Sequence, residues 1–419
     1  MTRYAISAVS VLLCLTAGLG WAVEADPISD GSWTMILLPD TQHYVDDPAR
    51  APIFDAQTQW IADHQTSHNI QMVLHQGDLT NNNIASQYTY AKHSMDILST
   101  AGVPYSIAPG NHDYGTNGST DTRNTLFNST LYFGSGTNYA NQSNITFYES
   151  GKTDNSYSTF SAGGEDWLVF SAEFGPRTEV LQWMDGVADA HPNHNLIFNT
   201  HAHLFNDGSR YDWSTYGAAQ TWNPHNYPIG ATTNDGQEVW DQLIKKHENW
   251  KLVFNGHVLN SGTGWLASRG DNGNIVHQFL ANYQMRAQGG EGYLRIMEFK
   301  DDGNSVKVSS YSPYLGSYLT GYDQDFDFNM SQLPPPLISG VTALALDVPI
   351  TTANASSIWT IEGSGPNAVS LLSEPNVADV SIAINDVPTH RNKGVMLASV
   401  RQNEREGYYG TVEVSHLNF

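Results

Sequence analysis

The sequence has one cysteine, few basic residues and a single long apolar run, and each scarcity excludes a class of function. Its 419 residues include 19 Lys and Arg against 42 Asp and Glu, which gives a net charge of −23. Nucleic acids and anionic membranes bind basic patches, so we expect neither as a partner. A phosphate group bound by so acidic a chain needs positive charge placed locally, and a bound cation can supply it.

The one long apolar run lies near the N-terminus, from Ala5 to Leu19, and follows Arg3. It is short for a membrane span, and small residues follow it. This pattern is typical of a secretory signal peptide. We therefore expect residues 1–25 to be removed, which leaves a secreted protein, periplasmic or extracellular, without a membrane span. Cys14 lies in this run, so the mature protein would have no disulfide, thiolate nucleophile or cysteine metal ligand.

Short apolar runs alternate with helix-like stretches from Trp33 to about Pro313. Five of the runs end in polar residues, and they are WTMILLPD, IQMVLHQGD, VPYSIAPGNHD, NLIFNTHAH and WKLVFNGH. Helices are predicted from Ile53 onward, up to a cap at Gly102, and from Gly236 onward. Such alternation predicts an α/β fold with buried strands, whose ligands bind at the carboxyl ends of the strands.

The remaining segments predict the surroundings of these strands. Runs after Ala162 predict antiparallel strands, and the long polar segments 114–155 and 204–235 are expected to form the walls of a site. A proline run at 334–336 predicts a stiff break after a domain at residues 30–330. Only strand-like runs follow it, so residues 337–419 are expected to form a small all-β, β-sandwich-like domain.

Chemically active residues cluster at the predicted strand ends. They are Asp40, Gln42, Asp78, Asn111, His112, Asp113, His201 and His257. Carboxylates, imidazoles and amide carbonyls are ligands of divalent metals that activate water. The sequence therefore predicts a metal site where these strand ends meet.

The order of these motifs resembles that of the calcineurin-like metallophosphoesterases. That family carries Asp-x-His, Gly-Asp, Gly-Asn-His-Asp/Glu, a lone His and Gly-His-x-His, each at a strand end of a four-layer αββα sandwich. The same order occurs here over about Trp33 to Pro313, as PDTQ, QGD, GNHD, NTH and NGHVL. The resemblance implies the αββα fold and the hydrolysis of small phosphomonoesters or phosphodiesters.

The resemblance also implies which residues bind metal. Asp78 would bridge two ions, and Asn111, His201 and His257 would complete one of the two sites. The other site would take Asp40 and Gln42, but Gln42 stands where the family has a histidine and Leu259 stands where it has another. An amide carbonyl is a harder and weaker ligand than an imidazole. We expect one or two divalent ions, Mn, Zn, Fe, Mg or Ca, in unequal sites.

Four further assignments concern residues beside these ligands. The resemblance implies that His112 protonates the leaving oxygen, with Asp113 as the partner that orients it. His43 is an additional candidate ligand only if its strand has already ended, because consecutive strand side chains point to opposite faces. His203 is another, since it would share a strand face with His201.

A subgroup of secreted bacterial relatives is similar to this chain in more detail. It shares the Pro-Asp-Thr-Gln start and a later run that contains Asn282-Tyr283-Gln284, Gly289-Gly290, Gly-Tyr-Leu-Arg and Tyr-Ser-Pro. We therefore interpret Gln42 as a feature of this subgroup.

Two other functions fit the sequence. The missing histidines allow a phosphate- or nucleotide-binding protein on the same fold that does not turn over substrate. The β region from residue 337 allows a surface or glycan-binding protein that acts through its C-terminal domain. Metal content with turnover would test the first alternative, and glycan binding would test the second.

Overall fold

The computed structural model describes residues 24–321 and 323–333 in full, and the backbone of six short strands between residues 350 and 418. The helices are α1 (Gln42–Val45), α2 (Ala51–His64), α3 (Ala85–Ala101), α4 (Thr178–Ala190), α5 (Trp213–Tyr216) and α6 (Gly236–Gln242). The strands up to residue 333 are β1 (Trp33–Leu38), β2 (Ile70–His75), β3 (Tyr105–Ile107), β4 (Ile145–Phe147), β5 (Ser156–Ala162), β6 (Glu165–Ser171), β7 (Asn195–Asn199), β8 (Trp250–Asn255), β9 (Thr263–Arg269), β10 (Ile275–Ala281), β11 (Leu294–Phe299), β12 (Ser305–Ser312), β13 (Ser317–Tyr318) and β14 (Asp325–Asn329).

These strands form two mixed sheets of seven strands each. The first sheet has the order β13-β12-β11-β1-β2-β3, with β14 also paired to β12, and the second has the order β4-β5-β6-β7-β8-β10-β9. Strands β1, β2 and β3 are parallel, and so are β6, β7, β8 and β10. In each sheet the carboxyl ends of the parallel strands therefore lie along one edge.

Both faces of each sheet are buried, which accounts for the near-continuous apolar strands. In β1, Ile36 and Leu38 pack with residues of α2 and α3, whereas Met35 and Leu37 pack between the two sheets. A third cluster joins α4 and α6 to the other face of the second sheet. The layers follow the order helix, sheet, sheet, helix, so the predicted αββα sandwich is confirmed.

The predicted helices are present with small changes at their ends. Gly102 ends α3 in the left-handed conformation, at φ 73°, and its amide donates to the carbonyls of Leu98 and Ser99. Helix α6 ends at Gln242, earlier than the apolar pattern suggested. Helix α4 was not predicted, because Gly186 interrupts its pattern. Strand β6 was expected to be antiparallel, but it is antiparallel only to β5 and is parallel to β7.

Two predicted regions lie largely outside the described residues. These are residues 1–23, with most of the predicted signal peptide, and most of residues 337–419. The strands described there pair antiparallel, Ile350–Thr351 with Ser381–Ile382, Thr360–Glu362 with Ser370–Leu372, and Gly394–Arg401 with Thr411–Asn418. The domain limits and the C-terminal domain therefore stay predictions. Across the residues described, no helix is both long and apolar enough to cross a membrane.

Candidate metal centre

Residues that follow strands of both sheets meet at one edge of the sandwich. Asp78 lies at the middle of this group, three residues beyond β2. Its Oδ1 accepts a hydrogen bond of 2.9 Å from the backbone amide of His112 and lies 3.2 Å from Nε2 of His201. The backbone of Asp78 is left-handed, at φ 50°, a conformation that is uncommon for residues other than glycine.

The glycine of the GNHD motif allows this close approach. A Cβ at Gly110 would clash with Oδ1 and the backbone nitrogen of Asp78. Gly256 of the NGH motif has the same relation to Asp40, because a Cβ there would clash with Oδ1 of that carboxylate. Each of these glycines therefore makes room for a carboxylate that comes from a different strand.

His201 presents its Nε2 to the centre. Its Nδ1 lies 2.7 Å from the carbonyl oxygen of Gln76, which can only accept, so Nδ1 carries the proton. Nε2 then lies 3.1 Å from Oδ1 of Asn111 and 3.2 Å from Oδ1 of Asp78. In the neutral histidine these three atoms are all acceptors. They face one another favourably only when a proton or a cation lies among them.

The electrostatics of this cluster favour positive charge at that point. Burial by itself would lower the pKa of His201, but the carboxylates of Asp78 and Asp40 raise it to about 9. Burial works to raise the pKa of Asp78, yet His201 and His112 hold it below its usual range. Burial raises the pKa of the Asp40 carboxyl. Ligand atoms of Asp40, Asp78 and His201 lie within 4.8 Å of one another. This set of carboxylate, amide and imidazole donors fits a divalent cation.

His257 lies beside His201, with the two ring centroids 4.8 Å apart. Its backbone amide donates to both carboxylate oxygens of Asp40, at 3.1 and 3.2 Å. Its Nε2 lies 2.9 Å from the carbonyl oxygen of Trp222 and must therefore carry the proton. Nδ1 keeps the lone pair, and it is the atom with which this ring could bind a metal.

Gln42 is in the first turn of α1, just beyond the end of β1. Its Nε2 donates to Oε1 of Gln284. Its own Oε1 is buried and has no hydrogen-bond partner among the described residues. An unpaired buried carbonyl costs about 1–3 kcal/mol. Coordination of a cation would remove that cost, so Gln42 also fits a metal ligand.

The structure corrects the expectation that Asp113 orients His112. The carboxylate of Asp113 accepts from the backbone amides of Leu79, Thr80 and Gly110, at 3.1, 2.9 and 2.9 Å. It thereby holds the loop that carries Asp78. The group that orients His112 is instead the carbonyl of Asn81, which accepts from Nδ1 at 2.9 Å. This contact leaves Nε2 of His112 available.

The two additional candidate histidines lie in other networks. Residues 42–45 form a helix, so the alternating side-chain directions of a strand do not apply to His43. Its Nδ1 lies 3.0 Å from Oδ2 of Asp46, three residues further along the chain. His203 is buried, and its Nε2 is 2.9 Å from Oε1 of Gln278. Strand β7 ends at Asn199, so His203 does not share a strand face with His201.

Sequence reasoning missed several groups that shape the centre. Nδ2 of Asn282 donates to Oδ2 of Asp40 at 3.0 Å, and Gln284 contacts Gln42. The only signal for this pair was the Asn-Tyr-Gln run that follows the apolar stretch of β10. The carbonyls of Gln76, Asn81 and Trp222 left no signal, since every residue has a backbone carbonyl.

The two long loops border the centre: Thr120 of the first loop donates to the carbonyl of Asn111 at 2.6 Å, and the carbonyl of Trp222 in the second loop contacts His257. Arg123 of the first loop donates to the carbonyls of Phe174, Gly175 and Ile229, at 3.0, 2.6 and 3.1 Å, and so ties it to the second loop. Phe174 packs edge-on against Tyr227, with ring centroids 5.0 Å apart, and lies 5.3 Å from the ring of His257.

Comparisons with solved structures returned distant likenesses. The purple acid phosphatase PPD1 of yellow lupin (Lupinus luteus) seeds is 13% identical, with a TM-score of 0.44, and the match covers 73% of this chain and 55% of that one. A dimetal phosphatase from Danio rerio is 14% identical, with a TM-score of 0.43, and the match covers 73% of this chain and 100% of that one. Likenesses at this level carry no statement about metals or substrate.

Sequence comparison is more informative. The uncharacterized protein YvnB of Bacillus subtilis (strain 168) is 31% identical over 300 residues, which are 70% of this chain and 21% of that protein. The chain thus spans about a fifth of the length of this relative. The sequence model of the calcineurin-like phosphoesterase family matches residues 36–261. These residues make up more than half of the chain and include the centre, from Asp40 to His257. The chain therefore belongs to the calcineurin-like phosphoesterase family.

Proposed function

We propose that this protein is a secreted, metal-dependent phosphoesterase that hydrolyses phosphomonoesters or phosphodiesters. One observation carries the proposal: Nε2 of His201 lies 3.1 and 3.2 Å from the side-chain oxygens of Asn111 and Asp78. These three acceptors come from three different strand ends, and they converge favourably around a cation. Membership of the phosphoesterase family makes ester hydrolysis the expected chemistry of such a centre.

The residues divide into two overlapping sets of ligands. Asp78, Asn111, His201 and His257 would hold one cation, and Asp40, Gln42 and Asp78 would hold the other. Divalent cations at this position would lower the pKa of water and polarise a phosphoryl oxygen. The carbonyls of Gln76 and Trp222 hold the two imidazoles in the tautomers that present a lone pair.

His112 is the proposed proton donor to the leaving group. Its backbone amide donates to Asp78, and its ring donates through Nδ1 to the carbonyl of Asn81. These two contacts hold the backbone and the ring of His112 beside the centre. In the protonated ring the second proton is on Nε2. That proton can pass to the leaving oxygen as the ester bond breaks.

Metal analysis of the purified protein, with a panel of generic phosphomonoesters and phosphodiesters, tests the proposal. We expect bound divalent metal and metal-dependent turnover of at least one class of substrate. Phosphate or nucleotide binding without turnover would replace the proposal with the binding-protein alternative. Absence of both metal and turnover would reject a phosphoesterase.

Secretion is the second part of the proposal, and it is supported by the pattern of residues 1–25. The N-terminal sequence of protein recovered from the medium or the periplasm should begin near Ala25. Recovery of the uncut chain from the cytoplasm would overturn secretion while leaving the hydrolase proposal intact. The glycan-binding alternative concerns residues outside the described part of the chain, and glycan binding by the full chain tests it.

A further inference from the structure

The strand β10 ends beside the centre although none of the family's metal motifs follows it. Asn282 and Gln284 lie just beyond its last residue, Ala281, and both are buried, with 5% and 8% of their surfaces exposed. Their side chains contact Asp40 and Gln42, the two residues of the weakened Asp-x-His motif. The segment Asn282–Gln284 therefore lies against the two residues that remain of the first site, in which Leu259 stands where the family has a histidine.

The orientation of the Asn282 side chain is determined by its surroundings. Its Oδ1 accepts from the backbone amide of Gln284 at 2.9 Å, so this atom is the carbonyl oxygen and the other is Nδ2. Nδ2 then donates to Oδ2 of Asp40 at 3.0 Å. The backbone amide of Asn282 donates to the carbonyl of Gly262 at 2.7 Å, which holds the segment in place.

Asp40 is consequently held by two donors from different strand ends. The backbone amide of His257 contacts both of its oxygens, and Asn282 contacts Oδ2. These bonds restrain the rotation of the carboxylate. Each carboxylate oxygen has two lone pairs, and Oδ1 accepts only one of these bonds, so Oδ1 keeps a lone pair for a cation.

Gln284 acts on Gln42 in a similar way. Oε1 of Gln284 accepts from Nε2 of Gln42, and this contact leaves Oε1 of Gln42 as the unpaired buried carbonyl. An amide that donates through one end has only its carbonyl left for a ligand. In this arrangement Gln42 offers an oxygen, and not an NH₂ group, to whatever binds there.

We propose that Asn282 and Gln284 position the ligands of a second cation site, in which the amide carbonyl of Gln42 stands in place of one missing histidine. Asn282 positions Asp40, Gln284 orients Gln42, and the ligands are oxygens of Asp40, Gln42 and the shared Asp78. A site with only oxygen ligands takes a hard cation such as Mn²⁺, Mg²⁺ or Ca²⁺ and binds Zn²⁺ weakly. The inference rests on the proposed function only in placing this site beside the Asp78 centre.

Titration of the metal-free full-length protein with Mn²⁺, followed by calorimetry and by the electron paramagnetic resonance of free Mn²⁺, tests the inference. The wild-type protein should show one tight and one weak binding event. Asn282→Ala and Gln284→Ala should each weaken the second event by about 10–100-fold, the usual effect of losing a group that orients a ligand. The first event should stay unchanged, because its ligands do not contact Gln284.

Gln284→Glu provides a variant with the opposite expectation. A carboxylate at this position adds negative charge beside the weak site and should tighten the second event. Gln59→Glu is the matched control, since Gln59 is exposed on α2 and the substitution adds the same charge away from the centre. The weak event should tighten in the first variant and not in the second. This comparison remains informative if the alanine variants fail to fold, which thermal unfolding would reveal.

The outcomes separate this inference from the proposed function. Unchanged weak binding in the Gln284 and Asn282 variants, or equal weakening of both events, would overturn the inference. A wild-type protein that hydrolyses phosphoesters but shows a single Mn²⁺ binding event would also overturn it and would leave the proposed function standing. Two binding events that respond as expected, without hydrolysis of any phosphoester, would support the inference and refute the proposed function.

Discussion

At the scale of single residues, backbone carbonyls decide which atom each histidine presents. The carbonyls of Gln76, Asn81 and Trp222 accept from His201, His112 and His257, respectively, at 2.7, 2.9 and 2.9 Å. A carbonyl only accepts, so each contact assigns a proton to one ring nitrogen and leaves the other for metal or substrate. Substitution of the side chains of Gln76, Asn81 or Trp222 should therefore perturb these tautomers less than movement of their loops.

The substitution Asp78→Asn should abolish metal binding and turnover together. The change removes the charge of a carboxylate that contacts both the His201 ring and the His112 amide, and it leaves the size of the side chain nearly unchanged. We expect metal affinity to fall by about 100-fold or more, since loss of even an outer partner costs about 10–100-fold. Metal content after dialysis and the rate on the same sample measure this. Lost turnover with full metal content would contradict the shared role of Asp78.

The substitution His112→Ala should lower turnover and leave metal content nearly intact. The alanine retains the backbone amide that donates to Asp78, so the centre keeps its shape. Turnover should fall by about 10²–10⁴-fold for esters with poor leaving groups, the usual contribution of a general acid. The loss should be smaller for good leaving groups, which need no proton. An equal loss across a series of leaving groups would remove His112 from this role.

At the scale of elements, one arginine connects the two loops that border the centre. Arg123 donates to three backbone carbonyls, and its Nη1 lies 3.5 Å from the buried carboxylate of Glu173. Oε1 of Glu173 also accepts a hydrogen bond of 2.8 Å from Nε of Arg177. A planar guanidinium spreads five N–H donors over three nitrogens, whereas the three donors of a lysine share one nitrogen and cannot reach acceptors so far apart. The position of both loops therefore depends on the shape of this side chain.

The substitution Arg123→Lys should destabilise the protein and lower kcat/KM, although it keeps the charge. Loss of several hydrogen bonds to buried carbonyls should cost about 1–3 kcal/mol. Metal content should not change, because Arg123 contacts none of the proposed ligands. Lys152→Arg is a control in the same loop, since Lys152 is exposed and pairs with Glu149. Unchanged stability in Arg123→Lys would show that the charge alone connects the loops.

At the scale of the whole molecule, buried neutral histidines make stability depend on pH. Burial lowers the pKa of His277 in β10 to about 4. Its Nδ1 accepts from Nε1 of Trp265 at 3.2 Å, and its Nε2 donates to the carbonyl of Asn329 at 3.1 Å. Protonation of Nδ1 would place its N–H opposite the N–H of Trp265, so this hydrogen bond would be lost. The neutral ring thereby connects the second sheet to the strand β14 of the first.

The stability of the His277→Gln variant should depend less on pH than the stability of the wild-type protein. An unfolded histidine binds a proton below about pH 6.5, whereas His277 in the folded state does so only near pH 4. The unfolded state therefore takes up the proton first, and stability falls as the pH drops from 6.5 toward 4. One such histidine accounts for about 2 kcal/mol between pH 7 and pH 5. Urea unfolding at both pH values measures the difference, with His93→Gln on the exposed face of α3 as control. Equal pH dependence in wild type and His277→Gln would contradict the assignment.

Much of the architecture could be predicted because its signals are local. Alternating apolar runs and helical stretches predicted the αββα layers, and turn residues such as Gly102 predicted where helices end. The pairing of β6 was missed because it depends on the neighbouring strands, and α4 was missed because Gly186 interrupts its helical pattern. The additional candidates His43 and His203 contact Asp46 and Gln278, and these partners depend on the conformation of the chain beyond the ends of β1 and β7.

The sequence by itself determined which residues stand at the strand ends, because the periods of strands and helices are properties of neighbouring residues. Parallel strands of the first sheet then bring Asp40, Asp78 and Asn111 to a common edge, and His201 follows a parallel strand of the second sheet. Only the tertiary structure decided the partners of these residues. Gln76 and His201 are 125 positions apart, and Asp40 and Asn282 are 242 apart. Contacts between such distant positions form when two sheets close on each other, and that closure has no periodic signature in the chain.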